Sequence, residues 1–322
     1  MVPEYGACLH INSNMCDVVC CGVIVADVLV QGVDESVFKR DITRVPLIKL
    51  RPGGDSLNQA LLLSTMGYKV ALCGKTGNDE IGAFLLTEIT NNGIDSRFIK
   101  QDPDVPTSTT IVMIKPDSQR HFIGCSKASN STLKLEDIDT SSFIGAKVVS
   151  IGSIYASTSF TGDICKEVLS KAKEYHCITV ADMMHAERHT IEDLEQCLPY
   201  IDYFIPSYDE ASCITKLTDL DEIASRLLSL GTKCVILKLG AKGCYLCNAE
   251  IRKTIPSFPA DAIDTTGAGD AMVAAFISGI LDKKDLVDCV KYGCAAGSLT
   301  VRFVGANGGI KTKKDIDILA ET

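Results

Sequence analysis

No apolar run in this 322-residue chain reaches the ~18 residues a helix needs to cross a bilayer. The longest, Val18 to Val30, is interrupted by Asp27, so a membrane partner is not expected. Basic runs are also scarce. No stretch of Lys and Arg exceeds two or three residues, and 32 basic against 41 acidic side chains leave a net charge of −9. A chain that grips a phosphate backbone carries a basic stripe, so nucleic acid is not expected as a partner. The N-terminus lacks the basic region and apolar core of a secretory signal, which points to the cytoplasm. Gly-x4-Gly-Lys-Ser/Thr is missing, as is Gly-x-Gly-x-x-Gly after the first strand. Both absences weigh against P-loop and nicotinamide-dinucleotide chemistry. Cys244-Tyr245-Leu246-Cys247 has zinc-like spacing but no second pair to complete a site. His185 and His189 are four apart, with no Glu at the offset of a zinc protease. They read as a solvated surface pair.

The rest of the composition is that of a folded domain: 46% apolar and 23% charged. At about one domain per ~150 residues, the length suits two units or one large α/β unit with an insertion. Fifteen cysteines are scattered, many inside apolar runs such as Cys20, Cys21, Cys73, Cys234 and Cys294. There they act as small apolar side chains in a reducing compartment, and disulfides are not expected.

Short runs rich in Val, Ile and Cys alternate with amphipathic segments. Strands are predicted at Asp17–Val25, Lys69–Cys73, Lys147–Ile151, Cys177–Ala181, Tyr203–Ile205 and Lys233–Leu239. They show little polar alternation, as strands do when helices cover both faces. Helices are predicted at Leu57–Met66, Asp79–Asn91, Asp219–Leu230 and Asp285–Ser298. The pattern argues for an α/β fold, a mostly parallel central sheet with helices on both faces. Two stretches break the rhythm. Val28–Leu50 has no helical period, and Thr107–Gly124 reads as a β-hairpin turning at Lys115-Pro116-Asp117-Ser118. Residues 15–29, 53–106 and 125–322 are therefore assigned to the core, and 30–52 and 107–124 to a small β-sheet lid. The first ~14 residues are expected to be disordered.

Four motifs can carry chemistry. In Asp264-Thr265-Thr266-Gly267-Ala268-Gly269-Asp270, a small-residue bend opens an apolar helix. Converging amides and the helix dipole make an anion site there, and Asp270 can accept a hydroxyl proton beside it. In Gly53-Gly54-Asp55-Ser56-Leu57-Asn58, two glycines permit close backbone approach and the polar side chains suit hydroxyl groups, although a plain helix cap reads the same way. Ser207-Tyr208-Asp209-Glu210 opens a helix behind a strand, suited either to a water-held metal or to simple dipole compensation. Lys238-Leu239-Gly240-Ala241-Lys242-Gly243 follows a strand, at the sheet edge where ligands bind or where a turn suffices.

In order and spacing, these motifs resemble the ribokinase-like (PfkB) carbohydrate kinase family, over residues 17 to 315. Asp27 after the first strand and Gly74-Lys75-Thr76-Gly77-Asn78-Asp79 fit the same order. The resemblance implies that Asp270 is the catalytic base and that the amides of Gly267, Ala268 and Gly269 hold the transferred phosphoryl group. It implies that Asp27, Gly53, Gly54, Asp55 and Asn58 bind the acceptor. ATP would lie against Ser207, Lys238, Gly240, Gly243, Thr265, Gly267, Gly269 and Asn307. Glu210 would organise Mg²⁺ through water, and Asp264 and Thr266 resemble part of a K⁺ site seen in some members. Ser207 stands where the family usually has Asn, Asp182-Met183-Met184 lacks an Asn that some members carry, and Asp55 and Ser153 depart from the ribose-specific branch.

The expected activity is transfer of phosphate from ATP to a primary hydroxyl of a small sugar. The alternatives are a nucleoside kinase, with Val28, Met113 and Phe122 against the base, or a catalytically silent sensor. A homodimer through the lid is expected, because lid strands leave edges to cover.

Overall fold

The computed structural model describes residues 15–116, 119–306 and 308–322. Residues 1–14, and with them the expectation of disorder there, lie outside these. The strands are β1 (Val18–Cys21), β2 (Val25–Gln31), β3 (Leu47–Gly53), β4 (Val70–Gly77), β5 (Ile99–Asp102), β6 (Thr109–Ile114), β7 (Arg120–Gly124), β8 (Val148–Ile154), β9 (Ile178–Met183), β10 (Tyr203–Phe204), β11 (Cys234–Lys238), β12 (Cys244–Cys247) and β13 (Arg252–Ile255). The helices are α1 (Asp55–Thr65), α2 (Glu80–Asn91), α3 (Gly162–Glu174), α4 (Ile191–Glu195), α5 (Tyr208–Thr215), α6 (Leu220–Ser229), α7 (Ala268–Leu281), α8 (Leu286–Thr300) and α9 (Lys313–Ala320).

Nine strands form the large sheet, in the order β13-β12-β11-β10-β9-β8-β1-β4-β5. All pairings from β11 to β5 are parallel; β12 and β13 join antiparallel at one edge. Within β1, Val18 and Cys20 pack into one apolar layer, and Val19 and Cys21 into the other. Leu57 of α1, Leu85 of α2, the apolar run of α7 and Ile316 of α9 fill the first layer. Val168 of α3, Ile214 of α5 and Leu227 of α6 fill the second. A strand buried on both sides needs no polar row. The chain leaves β1 for β4 and β5 on one side and returns to β8 on the other, so the topological switch point lies between β1 and β8.

The smaller sheet has the order β3-β2-β6-β7. The predicted strand Asp17–Val25 is divided: β1 stops at Cys21, and Val25 already begins β2. Gly22, at φ 138°, turns the chain out of the large sheet. The small sheet thus takes in residues 25–31, 47–53, 109–114 and 120–124, beginning upstream of the boundary drawn at residue 30. The hairpin of β6 and β7 closes with a hydrogen bond from the Lys115 amide to the Gln119 carbonyl at 2.8 Å. Asp117 and Ser118 of its predicted turn lie outside the described residues. Asp79 ties the two sheets together. Its carboxylate caps α2 at the Gly82 amide (2.8 Å) and accepts from the Thr107 amide (2.8 Å) and hydroxyl (2.5 Å). Lys75, in the same motif, is buried against Asp102 and Asp137, so that stretch serves the scaffold.

Candidate active site

The bend before α7 is built around Gly267, which takes φ 73° and caps the helix. The Cβ it lacks would lie 2.4 Å from the Ala306 Cβ, so both backbone and packing demand glycine. Among the described residues, the amides of Gly267, Gly269 and Asp270 have no acceptor, while that of Ala268 bonds the Thr265 carbonyl at 3.3 Å. Open donors at the positive end of a 14-residue helix can accept an anion.

Asp270 lies in that first turn and is 8% exposed. Asn58, in the first turns of α1, donates to its Oδ2 at 2.8 Å. Burial, then the charge of Asp55, pushes the Asp270 pKa well above the carboxylate range, against the Asn58 bond. A cavity of about 430 Å³ opens in front, lined by Asp27, Asn58, Asp270, Arg51, Phe122 and Gly305 among others. Asp27 comes from β2 and fits because Gly53 has no side chain; a Cβ there would lie 2.1 Å from the Asp27 Oδ2. Burial and Asp55 raise the Asp27 pKa to about 6. At Gly54, φ 92°, a Cβ would lie 2.6 Å from the Val23 carbonyl oxygen. The Ser153 hydroxyl donates to Asp55. Gly53, Gly54 and Asp55 thus back the cavity wall formed by Asp27 and Asn58.

On the other side of the bend, the Lys238 ammonium lies 3.3 Å from where a Gly269 Cβ would be. It pairs with Asp182 at the end of β9. Burial works against its charge, but Asp182 and Glu210 hold its pKa above the usual lysine value. Burial raises Asp182 to about 7 even with Lys238 beside it. Ser207 caps α5, and Glu210 returns the bond: its Oε2 accepts from the Ser207 amide at 2.9 Å and hydroxyl at 2.6 Å. Those bonds fall on Oε2, so Oε1 could meet a hydrated Mg²⁺ through water, while no cluster of three acids, histidines or cysteines offers direct ligands among the described residues. Open space surrounds the Cα of Gly240 at φ 58°, whereas Gly243 is packed 2.0 Å (missing Cβ to oxygen) from the Ile255 carbonyl, a sufficient reason for glycine in that hairpin. Asn307 lies outside the described residues. Its neighbour Gly305 donates to Asp264 Oδ2 at 2.9 Å.

Asp264 and Thr266 do not fit a K⁺ ion in this arrangement. Arg120 of β7 pairs with Asp264 Oδ1 at 2.6 Å and donates to the Thr266 hydroxyl; it also reaches the Thr265 hydroxyl at 3.4 Å. The histidines also differ from expectation. His189 stacks on Tyr155 with ring centroids 3.7 Å apart, so it is a packed ring and not a solvated one. His185 stays on the surface beside Glu187.

The pfkB family carbohydrate kinase model matches residues 15–313. The chain belongs to that family, and is a sugar kinase. It is 28% identical over 290 residues to a putative sugar kinase of Pyrococcus horikoshii, covering 88% of this chain and 90% of the relative. It is 25% identical to fructokinase-1 of Zea mays, over 87% and 91% of the two chains. Ribokinase of Staphylococcus aureus is 27% identical, over 82% and 86%. The pfkB fold itself is shared with Arabidopsis thaliana ribokinase complexed with ribose and ATP, at a TM-score of 0.81, 23% identity and coverage of 95% and 99%. A putative ribokinase II from E. coli in complex with ATP and Mg²⁺ has a TM-score of 0.82 at 21% identity, covering 95% and 99%.

Sequence reasoning missed Asp182 as the partner of Lys238 and Arg120 as the partner of the Asp264 bend. Neither leaves a local signal. Asp182 is 56 residues from Lys238, and Arg120 is 146 from Thr266. Serine at position 153, noted as a departure, is the hydrogen-bond donor to Asp55.

Proposed function

We propose that the chain transfers the terminal phosphoryl group of ATP to a primary hydroxyl of a small sugar held in the Asp27–Asn58 cavity. One observation carries this reading: Asp270, held by Asn58, lines a cavity of about 430 Å³ that also holds Asp27, and it sits in the helix turn that carries three open amides. Asp27 and Asn58 bind the sugar hydroxyls and orient one toward Asp270. Asp270 takes its proton as the oxygen attacks phosphorus, and ADP leaves with the bond to the bridging oxygen. The amides of Gly267, Gly269 and Asp270 and the ammonium of Lys238 stabilise the phosphoryl oxygens. Mg²⁺, carried with the nucleotide and met by Glu210 through water, supplies charge neutralisation when bound. The small sheet excludes water from the transfer.

The nucleoside reading gains less support. Of Val28, Met113 and Phe122, Phe122 alone lines the cavity; Val28 and Met113 do not. The outer face of the small sheet exposes Ile48, Ile111 and Ile123, which supports a homodimer through it; a monomer by light scattering would remove that part. The free thiols of the described cysteines support a reducing, cytoplasmic setting.

The test is an ADP-release screen over sugars, sugar phosphates, sugar acids and nucleosides. A neutral sugar giving the highest kcat/KM is the expected result. Preference for a nucleoside would select the alternative, and binding without ADP release from any acceptor would select the silent sensor.

A further inference from the structure

The charge at the bend is supplied by the small sheet. Arg120 stands on β7, and its guanidinium crosses to the residues that begin the bend. It is not among the cavity-lining residues, though the Thr266 it bonds is, so it stands behind the wall and meets the bend. Its side chain is 20% exposed and that of Asp264 7%, which separates this pair from loose surface pairs of little consequence. The Asp264 carboxylate is fully engaged. Oδ1 accepts from Arg120 and from the Thr266 amide at 2.7 Å, and Oδ2 accepts from the Gly305 amide at 2.9 Å. The Thr266 hydroxyl oxygen accepts from the guanidinium as well.

A K⁺ ion is held by oxygens that replace its hydration shell. At this bend nitrogen donors take up those oxygens, and one of the donors already carries the positive charge. Gly267, Gly269 and Asp270 follow within six residues of Asp264. Whatever fixes the carboxylate of Asp264 also fixes the start of the anion site.

We propose that Arg120 is a built-in replacement for a monovalent cation: a positioning residue through which the small sheet orders the bend, making turnover independent of K⁺. The proposal rests on the kinase reading and deepens it. Because the charge is attached to the lid sheet, ordering of the amides is coupled to the position of that sheet. An ion from solution would give no such coupling.

The experiment compares wild type, Arg120→Met and Arg120→Lys in buffer whose only monovalent cation is tetramethylammonium, with Mg²⁺ present throughout, with and without added KCl. Two readouts are taken: the thermal midpoint of the chain alone, and kcat and KM for the best acceptor. For wild type, neither readout is expected to respond to K⁺. R120M, with the Asp264 and Thr266 oxygens opened, is expected to gain thermal midpoint on K⁺ addition. Its kcat without K⁺ falls about tenfold, in the range of ordinary coupling energies, and K⁺ restores part of it. R120K, which keeps a charge, lies between the two. A wild type that needs K⁺, or an R120M insensitive to K⁺ in both readouts, overturns the proposal. If no acceptor is turned over, the kinase reading fails, while the thermal midpoints still decide the role of Arg120.

Discussion

Asn58 donates a 2.8 Å hydrogen bond to Asp270 across 212 residues of sequence. The bond joins the first turns of α1 and α7, so two helices from distant parts of the chain aim one carboxylate. Asp270→Asn keeps the size of the side chain and a hydrogen-bonding oxygen, but removes the proposed base. Turnover is expected to fall by about 10²–10⁴-fold, the usual worth of a positioned general base. Nucleotide binding, followed by calorimetry, should persist because the open amides remain. Wild-type turnover in D270N would remove the assigned role.

Burial and Asp55 raise the pKa of Asp270, and this sets the sign of the pH profile. If Asp270 is the base it must be ionised to act, so kcat/KM is expected to fall as pH drops through that raised value. Asp55→Asn removes a like charge; ionisation becomes easier, and the acid limb moves to lower pH. An unmoved limb in D55N would deny the coupling. The stability sign follows from the same shift. The folded chain holds this proton more tightly than the unfolded one, so the stabilisation is full below the ordinary carboxylate value and lost as pH rises through the raised one.

The two-faced burial of β1 was legible because Val-Val-Cys-Cys has no wet row, and the bend at Gly267 because Gly-Ala-Gly permits little else. The exit at Gly22 was not. Val18–Val30 is apolar almost throughout, and a glycine at positive φ inside such a run shows only in the backbone. The capping box of Ser207 and Glu210 was visible as Ser-x-x-Glu, with both readings of it open. Asp182–Lys238 and Arg120–Asp264 depend on which strand ends meet, and tertiary topology settles that. The stacking of His189 on Tyr155 is of the same kind.

Lys238 and Asp182 form a pair at 16% and 6% side-chain exposure. Removing one partner of a buried pair leaves the other uncompensated, which typically costs about 3–5 kcal/mol. Lys238→Met should therefore lower both the thermal midpoint and turnover. Adding Asp182→Asn removes the stranded acid and should restore much of the stability. Turnover should stay low, because the ammonium near Gly269 is still missing. Denaturation and ADP release measured on the single and double variants separate the two effects; recovery of both together would make the lysine purely structural.

The two glycines of the bend should respond differently to alanine. At Gly267 a side chain meets a positive φ and Ala306 at 2.4 Å, and no flexible group is there to yield. The left-handed backbone alone costs about 1–2 kcal/mol for a non-glycine residue, and the clash adds to it. Gly267→Ala is expected to lower the thermal midpoint and weaken nucleotide binding together. At Gly269 the nearest atom is the Lys238 ammonium at 3.3 Å, the end of a flexible chain that can give way. Alanine also suits a helix better than glycine by about 0.5–1 kcal/mol. Gly269→Ala should therefore hold its thermal midpoint while losing turnover, since the methyl displaces the ammonium from the open amides. A G269A variant with wild-type kcat would show that this ammonium does not act at the phosphoryl group.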